Sequence, residues 1–250
     1  MIRWLDRSPF TAIGLVWPGK VPEQRRGPAV PDGGDAVAFR VVTANALYPN
    51  RRPARWAEGV LALSADILCV QELAPRIASA LDDAGGLPPH ACTTVHPGSF
   101  GTGLWSRTPF DAAEIVDAGY AMVVARLASG MTVVSTHAVA PSSRGKTPLW
   151  RRSFELLQEV VDGVDGPVVV AGDLNATFAH GPLQELLARG RLRDAHVDAG
   201  RPRAHTWNAR FPCALIDHVL VSEEIAVRAI TEQRVPGSDH RAVVADLAIP

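Results

Sequence analysis

Residues 164–178 read Val-Asp-Gly-Pro-Val-Val-Val-Ala-Gly-Asp-Leu-Asn-Ala-Thr-Phe. Val168 to Ala171 is a continuous apolar run bounded by turn residues, which predicts a short buried strand. Gly172 allows the backbone to turn or to pass close to another group. Asp173 and Asn175 follow at a spacing of two. A strand continued that far directs both side chains to one face and Leu174 to the other. A carboxylate and an amide side by side at a strand end can position one oxygen nucleophile. The same residues also suit an Asx turn that closes a strand, and the stretch alone leaves the two readings level.

Working outward, short apolar runs recur and end in polar residues of a few kinds. Residues 36–43 predict a strand followed by Asn45, and 66–70 a strand followed by Gln71 and Glu72. Residues 91–95 and 103–106 read as further strands. Residues 120–127 and 131–135 form a hairpin through Ser129 and Gly130, and its second strand ends at Thr136 and His137. Residues 215–221 are a strand interrupted by Asp217 and His218. Residues 225–231 and 242–249 close the chain, with Ser238, Asp239 and His240 before the last strand. Helical patterns cover 56–63, 75–81, 149–161 and 182–188. After residue 90 no regular alternation of strand and helix is read, so a parallel sheet is not expected there.

Composition bounds the answer. The chain has 250 residues, 47% apolar and 20% charged, a globular balance. Its net charge of −1 argues against non-specific coating of nucleic acid. Cys69, Cys92 and Cys213 have neither disulfide-scaffold numbers nor metal-knuckle spacing. Cys69 lies inside an apolar strand and reads as a core thiol. Residues 10–17 form an apolar run after Arg3 and Arg7, far short of the roughly 20 needed to cross a bilayer. Residues 20–35 are rich in Pro, Gly and charge. The expected organisation is an irregular arm over 1–35 and one domain over 36–250, cytoplasmic or peripheral to a membrane.

Each candidate has a plainer alternative. Asn45 either caps a turn or binds something, because a buried amide needs partners. Glu72 is a candidate ligand or the cap of the helix near Pro75. Arg51, Arg52 and Arg55 follow Asn45, and Arg144, Lys146, Arg151 and Arg152 follow His137. Such clusters are commonly solvated faces, but their place after strand-end polar residues suits an anion-handling rim. His218 alternates with Asp217 and faces the other way, so it is left outside the site. His90, His96, His180, His196 and His205 read as structural, and Trp207 as a packed aromatic or part of the rim.

The set Thr-Ala-Asn45, Val-Gln-Glu72, Ser-Thr-His137, Gly-Asp173-Leu-Asn175, Leu-Ile-Asp217-His218 and Gly-Ser-Asp239-His240 carries a likeness. It resembles the endonuclease/exonuclease/phosphatase superfamily, the DNase I-like metal-dependent phosphohydrolases, over 36–250. The phrases at 101–107 and 235–243 resemble its actinobacterial VanJ-like branch, which is linked to cell-envelope metabolism. The resemblance implies an α+β four-layer α/β/β/α sandwich of two mostly antiparallel sheets. It implies Glu72 as principal ligand of Mg2+, with Mn2+ a possible substitute, and Asn45 and Asp239 completing or bordering that site. It implies Asp173 orienting or deprotonating water, Asn175 as its partner, and His240 contacting phosphate with its tautomer fixed by Asp217. His137 is implied as a second histidine that stabilises phosphoryl charge. The expected activity is hydrolysis of a phosphate ester, with a small or lipid-linked substrate preferred. A compact nuclease and an inactive metal- or phosphate-binding module are the alternatives. Nucleic acid is a possible partner, no obligate protein partner is inferred, and a monomer is expected.

Overall fold

The computed structural model describes residues 21, 23, 24, 27, 28, 36–211 and 213–249. Most of the expected arm, the run at 10–17 included, lies outside the described residues. Among the described residues, strands form two six-stranded sheets. The first runs, in spatial order, β11 (Ala226–Arg234), β12 (Arg241–Ile249), β1 (Val37–Asn45), β2 (Ile67–Gln71), β4 (Thr102–Ser106), β3 (His90–Thr94). The second runs β5 (Phe110–Asp117), β6 (Ala121–Leu127), β7 (Thr132–His137), β8 (Val168–Asp173), β10 (Asp217–Ser222), β9 (Leu192–Asp194). Helices α1 (Pro53–Leu61) and α2 (Pro75–Ala84) cover the first sheet. Helices α3 (Thr147–Asp162) and α4 (Gly181–Ala188) cover the second, and the short α5 (Ala195–Asp198) follows β9. The architecture is the expected sandwich of two mostly antiparallel sheets with helices outside.

Alternation along the strands decides what each side chain meets. In β8, Val169 and Ala171 point into the core between the sheets, while Val168 and Val170 pack outward under α3 and α4. Val41 of β1, Ile67 and Cys69 of β2, Val133 of β7 and Val219 and Val221 of β10 join the same inter-sheet core. Val42, Ala44, Leu68 and Val70 face α1 and α2, where Trp56, Val60, Ile77 and Leu81 cover them. Both faces of the central strands are therefore buried, which is why they read as continuous apolar runs. Burying a side chain of this size contributes about 1.5–3 kcal/mol each. The period of two then carries a consequence to the strand ends. Asn45, His137, Asp173 and Asp217 share the phase of the inward residues, so four polar side chains continue the face that is apolar farther along.

Topology gathers those ends. β1 and β2 are parallel across α1, with Asn45 opposite Gln71. β7 and β8 are parallel across α3, with His137 opposite Asp173, and β10 runs antiparallel to β8 with Asp217 opposite Asp173. Each parallel pair sets two carboxyl ends side by side, and each antiparallel neighbour adds an amino end to the same rim. The β7–α3–β8 crossover corrects the expectation that such units stop after residue 90. β5 is a second correction, because no strand was read there. Its residues are mostly exposed, so it lacks the apolar alternation that marks a strand; it is an edge strand held by backbone pairing to β6.

The approach of β7 to β8 leaves no room at Gly172. A Cβ there would stand 1.8 Å from the Thr136 carbonyl oxygen. Gly172→Ala is expected to lower stability by about 1–3 kcal/mol or more, through forced separation of the two strands. Urea unfolding of the substituted and unsubstituted chains measures this, and an unchanged midpoint would contradict it.

Candidate active site

The inward-facing strand ends meet where the two sheets come together. Asn45 Nδ2 donates to Asp173 Oδ2 at 3.0 Å and to Glu72 Oε1 at 3.3 Å, and Asn45 Oδ1 accepts the Leu47 amide at 2.9 Å. Asn45 thus both caps its turn and joins the sheets. Glu72 Oε2 accepts the Tyr48 amide at 2.8 Å. Glu72 does not cap the following helix: the residue before α2 is Ala74, and no side chain caps that end. Glu72 instead takes a left-handed backbone, φ 57°, which turns its side chain back over the end of β1.

β8 ends at Asp173, so Asn175 reaches the site by a turn and not by strand alternation. Asp173 Oδ1 accepts the Asn175 amide at 2.9 Å, and Asn175 has φ 47°. The Asx turn and the paired polar side chains are therefore one arrangement. Asn175 Nδ2 donates to the Ala138 carbonyl at 3.0 Å and lies 3.4 Å from His137 Nε2. Leu174 points away into the helix-covered core, as expected. His240 Nδ1 lies 3.0 and 2.9 Å from the two oxygens of Asp217, and His240 Nε2 lies 3.7 Å from Asp173 Oδ2. Ser238 Oγ bonds the Asn45 carbonyl at 2.7 Å and accepts the His240 amide at 3.0 Å. That hydroxyl couples the segment before β12 to the end of β1.

Burial and mutual proximity set the charges. Burial, then the nearby Asp217 carboxylate, push Asp173 up to about 7. Burial opposes charge on His240, but Asp217 and Asp173 overcome it and lift His240 to about 10. His137 goes the other way, down to about 3, through burial and the neighbouring His240 cation. Its Nε2 is 3.5 Å from Asp173 Oδ2, but a neutral imidazole makes this contact a polar one and not an ion pair. His137 Nδ1 faces the Ser99 carbonyl at 3.2 Å, so the neutral ring donates there and presents a lone pair at Nε2. The expected stabilisation of phosphoryl charge by His137 would need a proton on Nε2, which this environment opposes.

Two donor sets could hold a metal ion. The ligand atoms of Asp173, Asp217 and His240 lie within 4.8 Å of one another, so this buried cluster is able to coordinate one. Glu72 and Asp239 offer oxygens only. Asp239 Oδ2 accepts Trp207 Nε1 at 3.0 Å, while Asp239 Oδ1 is buried with no hydrogen-bond partner. Burial first, and Asp239 among the charges, raise the Glu72 carboxyl. A carboxylate oxygen with no hydrogen-bond partner, 4.0 Å from His240 Nε2 and near a second carboxyl disfavoured as an anion, suits a hard divalent cation.

All eight predicted catalytic and metal residues are brought to this one rim. The basic residues divide. Arg55 lies within α1 and pairs with Glu58 at 3.8 Å. Arg151 and Arg152 lie within α3 and not in a loop; Arg152 bonds Glu155 and Glu159 at 3.3 and 3.0 Å. Arg151 borders a small cavity between α3 and α4 with Glu155, Glu185 and Arg189. Arg55 and Arg152 thus pair with acidic neighbours on their own helices, and Arg151 faces the cavity beside Glu155 and Glu185. Arg51, Arg52, Arg144 and Lys146 are exposed on the two loops that leave Asn45 and His137. Sequence reading missed Tyr120, whose ring packs 4.6 Å from the His137 ring, and the Ser238 and Ser99 contacts. None carries a motif signal, since a lone Tyr or Ser has too many structural uses.

The model of the Endonuclease/Exonuclease/phosphatase family matches residues 42–240. No match is found among curated proteins. Among solved structures, an endonuclease/exonuclease/phosphatase from Beutenbergia cavernae DSM 12333 is 22% identical, with 85% of this chain and 72% of that chain covered and a TM-score of 0.64. A second, from Bacteroides vulgatus, is 19% identical, covering 86% and 100%, with a TM-score of 0.66. D. rerio TDP2 complexed with single strand DNA product is 16% identical, covering 84% and 98%, with a TM-score of 0.68. At these identities the likeness is one of fold.

Asp217→Asn tests the electrostatic arrangement. Losing Asp217 removes the leading upward influence on His240, so its folded pKa falls from about 10 toward or below the ordinary imidazole range. Asp173 loses a like-charged neighbour, so its pKa falls below about 7. Proton NMR of the histidine rings in metal-free protein should show His240 titrating at lower pH in the variant. An unshifted His240 curve would contradict the assignment.

Proposed function

Because the chain belongs to the endonuclease/exonuclease/phosphatase family, we propose that it is a metal-dependent hydrolase that cleaves a phosphate ester bond by in-line attack of water. The observation that carries this reading is the convergence on Asp173 Oδ2 of Asn45 Nδ2, His137 Nε2 and His240 Nε2, from both sheets. Packing requires no such meeting of polar groups inside an apolar sandwich.

Asp173, poised near neutrality, accepts the proton of the attacking water at Oδ2. Asn45 and Asn175 hold that carboxylate from its two sides, at Oδ2 and Oδ1. His240 remains protonated, its Nδ1–H fixed on Asp217, and directs Nε2–H toward a phosphoryl oxygen. His137 stays neutral and its Nε2 accepts from Asn175 Nδ2. The water oxygen bonds to phosphorus as the ester P–O bond breaks, and the leaving oxygen takes a proton from solvent and departs as the alcohol, while Asp173 later returns its proton to solvent. Glu72 and Asp239, bordered by Asn45, would hold Mg2+, with Mn2+ a possible substitute. When bound, that ion supplies positive charge against the developing phosphoryl charge.

The preferred substrate is a small or lipid-linked phosphate ester. A net charge of −1 supports this over long duplex, whose binding relies on neutralising backbone phosphates. The sequence likeness to the VanJ-like branch supports the lipid-linked member of that class. Arg51, Arg52, Arg144 and Lys146 would face the phosphorylated group. They also favour a second reading, a compact nuclease gripping adjacent phosphates, and the D. rerio relative is one complexed with a single-strand DNA product.

Glu72→Gln should lower magnesium-dependent turnover by about 100-fold or more, with metal-free melting nearly unchanged. Activity that survived at saturating magnesium would remove Glu72 as principal ligand. A panel of plasmid, single-stranded DNA, RNA, phosphoinositide, sphingomyelin, isoprenyl pyrophosphate and bis(p-nitrophenyl) phosphate separates the substrate readings. Turnover of nucleic acid alone, lost on His240→Ala, would favour the nuclease.

A further inference from the structure

Asp217 and His218 are neighbours in β10 and face opposite ways. Asp217 turns inward to His240, while His218 turns outward beneath the helix layer, where it is 1% exposed. There it forms a second histidine–carboxylate pair. His218 Nδ1 lies 2.6 Å from Asp194 Oδ2, at the end of β9. Its Nε2 lies 2.8 Å from the carbonyl oxygen of Ala176. That carbonyl belongs to the residue after Asn175, on the turn that carries the active-site amide.

The turn needs holding. Asn175 sits in left-handed backbone, φ 47°, a region that is unfavourable for a residue with a side chain and persists only when its surroundings impose it. Its neighbours are tied from every side. The Leu174 amide donates to the Ile216 carbonyl at 2.9 Å, and Trp150 Nε1 donates to the Leu174 carbonyl at 3.2 Å. The Thr177 amide donates to His180 Nδ1 at 2.9 Å. Two of the ties to this turn, from the Ile216 carbonyl and from the His218 ring, come from the residues on either side of Asp217. Asp194 is itself fixed, because its Oδ1 accepts the His196 amide at 2.8 Å at the start of α5. Burial works against charge on Asp194, yet His218 and His196 hold it below the usual carboxylate range. The Phe178 ring meets the His218 ring edge-on at 5.6 Å, which closes the remaining side.

We propose that His218, anchored by Asp194, is a positioning residue that clamps the 173–177 turn through the Ala176 carbonyl and so sets the place of Asn175 beside Asp173. The proposal rests on the hydrolase reading for its catalytic consequence and on the packing alone for its structural one. The dipeptide Asp217-His218 then serves both sides of the second sheet. One residue orients the histidine that faces substrate, and the other orients the amide across the strand from it. A single shift of β10 would displace both together.

The test compares His218→Leu, which removes both ring nitrogens, with His218→Gln, which keeps an N–H able to reach the Ala176 oxygen. Hydrogen exchange on the full metal-free chain is read first. In His218→Leu, the amides of Asn175 and Thr177 should lose about tenfold or more of their protection, while Val169 to Ala171 keep theirs. In His218→Gln the loss should be smaller. Equal protection in all three proteins, or an equal loss throughout β8, would overturn the clamp. With magnesium and bis(p-nitrophenyl) phosphate, kcat should fall about 10- to 100-fold in His218→Leu at little-changed KM, with partial rescue in His218→Gln. Unchanged kcat would overturn the catalytic consequence. Absence of turnover in the unsubstituted protein, with the exchange result intact, would reject the hydrolase reading and leave the clamp standing. Should His218→Leu not fold, Asp194→Asn and the unsubstituted protein decide: the first should loosen the same amides. The second should show a slowly exchanging Nε2 proton on His218, whose absence would overturn the proposal.

Discussion

One hydrogen bond between the sheets, from Asn45 Nδ2 to Asp173 Oδ2 at 3.0 Å, is the interaction on which the rim is organised. Both residues lie at the ends of central strands, on faces that are apolar along the rest of their length. A carboxylate introduced alone at such a place would be strongly disfavoured, because a low-dielectric interior penalises an unpaired charge. The amide, the Asn175 backbone N–H and the nearby imidazolium of His240 make the place tenable. The compensation is incomplete, as the elevation of Asp173 to about 7 records. On the proposed hydrolase reading, that shortfall is the property a proton acceptor requires.

The pair His240–Asp217 and the neutral His137 show how one buried carboxylate can have two unlike imidazole neighbours. His240 has Asp217 on its far nitrogen and is held charged; His137 has only the Ser99 carbonyl there and is not. The second-nitrogen partner decides the state of each ring, as expected for histidine. The cation that results on His240 then suppresses a second cation on His137. Two rings of the same type and similar burial come to carry different charges beside one carboxylate.

Two of the residues held in left-handed backbone lie at the same rim. Glu72 and Asn175 both adopt left-handed backbone, φ 57° and 47°. Each is the point at which a chain leaving a central strand must turn its side chain back over the strand end. Backbone bonds hold them on both sides: the Leu73 amide reaches the Gly101 carbonyl and the Leu174 amide the Ile216 carbonyl. A turn of this kind is maintained by the rigidity of two packed sheets, which explains why the polar rim sits on strand ends and not on long free loops.

Several features were legible in residues alone. Apolar runs of strand length, a clear amphipathic helix over 149–161 and turn residues between them determined many short strands and few long helices, and the two-layered sandwich was implied by the family resemblance. The period of two determined that Asp217 and His218 face apart and that Leu174 leaves the site. The motif set, through the family resemblance, named the eight polar side chains that lie together at the rim. Tertiary structure decided the rest, for reasons the local sequence does not contain. β5 exists because β6 offers it a backbone edge, not because its own side chains alternate. Arg151 and Arg152 lie in a helix and not in a loop because α3 begins at Thr147, and its surface supplies Glu155 and Glu159 to Arg152. The β7–α3–β8 crossover became evident only when β8 was seen beside β7, since strand direction depends on which partner a strand finds. The protonation of His137 and His240, and the use of His218 under the Asn175 turn, depend on distances between residues far apart in the chain. Alternation fixes which face a side chain takes, but only packing fixes what it meets there.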